Sequence, residues 1–211
     1  MIIFQNKKIY IWIAVYAPFC AYVIAQYFSL DVTPVLDAEA LHNVLLRPQK
    51  MLFNNNLFFA VLLFAARTNY LSNEYLVRGG KRLAPKILLD GMLLSLLYTA
   101  VTFVLLIGLS PLVKYYLTTN LITGALKLGA FCLIFHLIYS AFYLISKNHL
   151  LAIFAGVIIN MMLLLIVGLM EEFGAGGGSW LRYWNRWFSA IPLVAALIAV
   201  IAMLLRKKDF L

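Results

Sequence analysis

Residues 153–170 read IFAGVIINMMLLLIVGLM, with no charged side chain and Asn160 as the one strongly polar residue. The run shows no strand alternation and has the length of a helix, so it is predicted to be a membrane-spanning α-helix. Working outward from it, the same pattern recurs along the chain. Apolar runs at 9–30, 50–66, 87–110, 121–146, 150–170 and 189–205 approach or exceed the roughly 20 residues a helix needs to cross a bilayer. The composition agrees: 64% of residues are hydrophobic and 12% charged, and the mean hydropathy is +0.94. A soluble domain carries about 25% charged residues. The expected fold is all-α, a single polytopic membrane domain over 1–211 with six transmembrane helices.

The first run is too long for a signal-peptide core and is followed by no small-residue cleavage site. Cys20 and Cys132 both fall inside apolar runs and read as small packing residues. A net charge of +9 would suggest nucleic acid in a soluble protein. Here the charge sits in short loops beside apolar spans, where it acts as a topology signal and implies no nucleic-acid partner.

Six spans put both termini on one side. That side holds eleven cations: Lys7, Lys8, Arg67, Arg78, Lys81, Arg82, Lys86, Lys147, Arg206, Lys207 and Lys208. The other holds six: Arg47, Lys50, Lys114, Lys127, Arg182 and Arg186. The cytoplasmic bias of Lys and Arg then places both termini inside. Span two is the weakest, interrupted by Asn54, Asn55 and Asn56, and its loss would invert everything downstream.

The longest cytoplasmic loop, 67–86, contains NYLSNEYLV (69–77) and then RGGKRLAPK (78–86). Leu71 and Tyr75 are four apart, as are Glu74 and Arg78, which suits a short amphipathic helix. Gly79-Gly80 would end it, and Pro85 suits the first turn of the next helix. The cations read either as a grip on anionic headgroups, about 1 kcal/mol each, or as part of a docking element for a soluble partner. On the outer side, DAEALHNVLLR (37–47) reads as a surface helix capped by Asp37. EEFGAGGGSWLRYWNRWF (171–188) sets Trp180, Tyr183, Trp184, Trp187 and Phe188 after a glycine-rich turn, as an interfacial aromatic belt or a ligand lid.

His42, His136 and His149 make no metal-ligand spacing, and neither a nucleophile elbow nor a Walker loop is present. The one Ser–His combination within the spans is Ser140 or Ser95 with His136; such serines more commonly bond helix backbone. Asn54, Asn55, Asn56 and Asn160 are candidates to line a path or to tie helices together. Asp90 is one turn from Lys86 and suited to pair with it; Lys127 is placed to snorkel outward. No series of carboxylates exists to bind a driving ion. A bundle of this kind transports passively, or takes its energy from a partner.

The segments NEYLVRGGKRLAPKILLDG (73–91) and RKKDFL (206–211), with the six-span topology, resemble the membrane subunits of the ABC type-2 exporter family. The size is most similar to small Gram-positive permeases that expel lantibiotics, bacteriocins or other amphipathic peptides. The resemblance implies a bacterial cell-membrane complex of two such subunits, identical or related, with two cytoplasmic ATPases that hold ATP and magnesium; this chain itself would carry no cofactor. Tyr70, Glu74, Tyr75 and Arg78 would face the ATPase through a coupling helix, with Lys81, Arg82 and Lys86 at the inner interface. Residues 171–188, including Trp180, Tyr183, Trp184 and Trp187, would correspond to the extracellular gate. The absence of a large outer domain departs from family members that handle lipid-linked polysaccharides. A second reading is a vitamin-capturing subunit of an energy-coupling-factor importer, for which Ala14, Ala17 and Ala21 supply a small-residue patch. A third is a non-transporting immunity protein.

Overall fold

A computed structural model describes residues 7–30, 54–66, 83–109, 119–173 and 190–207. They form six helices: α1 (Lys7–Leu30), α2 (Asn56–Ala65), α3 (Leu83–Leu109), α4 (Thr119–Ser146), α5 (His149–Phe173) and α6 (Ala190–Lys207). The described residues contain no strand, so the all-helical expectation holds. Each predicted apolar run overlaps one of these helices, with ends differing by a few residues. Leu83–Leu105 in α3 and Gly124–Ser146 in α4 are long and apolar enough to cross a membrane. The apolar helices Asn56–Ala65, His149–Leu163 and Ile191–Arg206 are shorter among the described residues.

Span two differs most from its expectation. Asn54 and Asn55 form a π-helical turn that runs directly into α2, so the asparagines open the helix where the sequence suggested a break. Pro85 falls in the first turn of α3, as expected, where its missing N–H has no intrahelical acceptor to lose.

The most enclosed helix is α4: 72% of its most apolar stretch is buried, against 39% for α3. It packs against α3, α5 and α6, while α1 lies on α3 and α2, and α2 on α5. Two glycines permit close approach. A Cβ on Gly91 would come within 2.5 Å of the His136 ring, and one on Gly156 within 2.6 Å of Phe135. Small residues of this kind let membrane helices pack backbone to side chain, where dispersion rather than water exclusion drives association.

The α4–α5 connection is only Lys147 and Asn148. Lys147 sits at φ 56°, the left-handed conformation that closes helices, and its N–H bonds Tyr143 O at 2.9 Å. Asn148 Oδ1 accepts from the N–H of Leu150 at 2.9 Å and of Leu151 at 3.4 Å, capping α5. Asn148→Ala is therefore expected to cost about 1 kcal/mol, read as a lower thermal midpoint, with Asn148→Asp retaining most of the stability.

Polarity is distributed inside out. Large apolar side chains such as Leu96, Val104 and Met203 are about two-thirds exposed, while Asn56, Ser140, Thr102 and His136 are buried.

Candidate functional site in the polar interior

Of the candidate positions, Tyr70, Glu74, Tyr75, Arg78, Lys81 and Arg82 lie outside the described residues, as do Trp180, Tyr183, Trp184 and Trp187 and the outer segment 37–47. Asn54, Asn55, Asn56 and Asn160 are described. Three of them join one network.

Asn160 donates from Nδ2 to Oδ1 of Asn56 at 3.2 Å, and Asn56 Nδ2 donates to Val157 O at 3.2 Å. These two bonds tie α2 to α5 through residues 104 and 101 positions apart. Next to Asn56, Asn55 Oδ1 accepts from the Tyr98 hydroxyl at 2.9 Å. One turn further along α3, Thr102 donates its hydroxyl hydrogen to Tyr98 O at 2.8 Å. With that hydrogen engaged, the 2.7 Å contact between Tyr16 and Thr102 must run from the Tyr16 hydroxyl to Thr102 Oγ1. The polar thread thus runs from α1 through α3 and α2 to α5.

An aromatic cluster encloses it. Trp12 stacks on Tyr16 with centroids 4.9 Å apart, Tyr98 lies 5.0 Å from Tyr16, and Phe59 meets Tyr98 edge-on at 5.5 Å. Trp12 Nε1 donates to Phe58 O at 3.0 Å, so the indole is satisfied as well. Asn56 and Asn160, which the sequence left open between glue and path, act in this structure as an interhelical tie. Trp12, Tyr16, Tyr98 and Thr102 were not among the sequence candidates. Their signal was the four-residue spacing of Trp12–Tyr16 and Tyr98–Thr102, which places each pair on one helix face.

A second polar group lies between α3 and α4. His136 Nε2 is 3.1 Å from Ile87 O and 3.3 Å from Ser140 Oγ. A carbonyl only accepts, so Nε2 carries the hydrogen and cannot take a proton from Ser140. The Ser140–His136 combination that the sequence allowed therefore lacks the nucleophile–base geometry, which needs a lone pair on that nitrogen. Ser95 Oγ, Thr99 Oγ1 and His136 Nδ1 are buried and find no hydrogen-bond partner among the described residues.

A third group caps the end of the α4–α5 hairpin. Tyr143 stacks on His149 at 4.2 Å, and the Tyr139 hydroxyl is 2.8 Å from His149 Nδ1. Among the described residues, no three His, Cys, Asp or Glu side chains gather as a metal site.

The fold and this interior define an all-helical bundle with two helices of membrane-crossing length and a polar thread through its centre. No family model matches the chain, and neither the curated proteins nor the solved structures give a significant match.

Proposed function

We propose that this chain is a multi-pass membrane permease subunit of an ATP-driven type-2 exporter in a bacterial cell membrane. It would work with two cytoplasmic ATPases and a second membrane subunit, and move amphipathic peptides or lipid-like molecules. The inside-out polarity favours an apolar solvent around all six helices, because exposed leucine and valine faces are costly in water and neutral in lipid.

The observation that carries the mechanism is how α3 begins. It starts directly after the cation run 78–82, and its first turns are locked into the bundle: Leu83 and Ile87 are buried, and Ile87 O is held by His136 of α4. Force applied to segment 67–82 would enter α3 at its base and pass at once to the most enclosed helix. In this reading Glu74 and Arg78 engage the ATPase, and binding of ATP with magnesium in that partner supplies the energy that the chain's own residues do not. The cations at 78–86 also fix topology and contact anionic headgroups.

The experiment is purification from native membranes in mild detergent, followed by an ATPase assay on the purified complex. A nucleotide-binding subunit with turnover is expected, and Glu74→Ala with Arg78→Ala should abolish its retention. A stable chain that never brings down an ATPase would sink the reading.

A further inference from the structure

Most buried polar side chains in the described structure have hydrogen-bond partners, and a few buried polar atoms have none. The thread through Tyr16, Thr102, Tyr98, Asn55, Asn56 and Asn160 is bonded within the chain. The unpartnered buried side-chain atoms among the described residues are three: Ser95 Oγ and Thr99 Oγ1 on α3, and His136 Nδ1 on α4, the helix packed against it. Such groups cost about 1–3 kcal/mol each when left bare, and native structures normally satisfy them, often with ordered water.

Their spacing suits water. The helices run antiparallel, with Gly91 against His136 and Thr99 against Gly129. Gly91, Ser95 and Thr99 are successive turns of one α3 face, about 6 Å apart along the axis. A single water bridges only about 4.5 Å with two bonds of about 2.8 Å at its tetrahedral angle, so each step of about 6 Å takes a pair of linked waters. At the far end a Cβ on Gly129 would stand in ordinary contact with the Thr99 hydroxyl, 3.6 Å away, with no other contact within 4 Å among the described residues. Ser95 and His136 are 4% and 1% exposed, so neither reaches bulk solvent.

We propose that α3 and α4 enclose a file of bound water, held by the Ser95 and Thr99 hydroxyls and by Nδ1 of His136. The same register carries the file past Cys132, the buried thiol of α4 one turn from His136. Because water bonds exchange, α3 can shift along α4 without stranding these groups. That consequence rests on the exporter reading; the water itself does not.

The test uses the full chain in lipid nanodiscs and radiolytic labelling, in which bound water yields hydroxyl radicals in place. Cys20 provides an internal comparison, since it is buried in α1 and shares the chemistry of Cys132. Cys132 and His136 are expected to oxidise severalfold faster than Cys20, and Ser95→Ala should both slow that labelling and lower the thermal midpoint. Equal labelling of Cys132 and Cys20 would overturn the proposal. So would a rise in midpoint on Ser95→Ala, which would mean that a bare hydroxyl had been removed. ATPase retention is not a readout here, so failure of the water file and failure of the exporter assignment remain distinguishable.

Discussion

Gly91→Ala is expected to destabilise the folded bundle by about 2–4 kcal/mol, combining overpacking with the loss of a buried hydrogen bond. The added methyl would stand 2.5 Å from His136 Cδ2 and 3.1 Å from Cγ. The imidazole cannot swing away freely, because Nε2 is tied to Ile87 O on the helix that carries Gly91. Either α3 and α4 separate, losing dispersion contacts along the interface, or the ring turns and strands the carbonyl. Gly108→Ala is the matched control. Nothing lies within 4 Å of a Cβ there, so the same change should be neutral or add up to about 1 kcal/mol through helix propensity. Unfolding in mixed micelles measures both. The mechanism is separable by a double-mutant cycle: in a His136→Ala background, Gly91→Ala should lose most of its cost. An undiminished cost there would place the clash somewhere other than the imidazole.

The second large effect is at Tyr98. Its side chain is fully buried among Trp12, Tyr16 and Phe59, and its hydroxyl reaches Asn55. Tyr98→Ala removes the central ring of the cluster and leaves Asn55 Oδ1 without that donor. Truncating a buried aromatic ring costs about 3–5 kcal/mol in water-soluble cores. In the proposed bilayer setting the unfolded helices would stay in lipid, so the transfer contribution would shrink and the lost packing would dominate. A value near 3 kcal/mol is expected. Tyr98→Phe keeps the ring and loses only the bond to Asn55, for about 1 kcal/mol. Comparable losses for the two variants would mean that the hydrogen bond, and not ring packing, holds α3 against α1 and α2.

The Asn148 cap was readable in part, since the SKNH stretch joins two apolar runs too closely for anything but a tight reversal. The rotation of each helix was not readable. These helices are apolar on every side, so periodicity gives no inward face of the kind a soluble amphipathic helix displays. The sequence could flag Asn160 as costly in hydrocarbon and Asn56 as an interruption. It had no means of pairing two residues so far apart. The same limit hid Tyr16 and Tyr98, which read as ordinary aromatics until packing brought their hydroxyls onto Thr102 and Asn55.

The sequence by itself determined that the chain is helical and where its apolar segments lie, because these depend on local composition and on the length of each run. Tertiary structure alone decided which polar groups meet. It made Asn56 and Asn160 a tie between α2 and α5, and it gave the Nε2 hydrogen of His136 to Ile87, so that Ser140 faces no base. It also left Ser95 and Thr99 of α3 and Nδ1 of His136 of α4 without partners among the described residues. Those outcomes depend on helix rotation and on the close approach that Gly91 allows, and both are fixed only when all the helices pack at once.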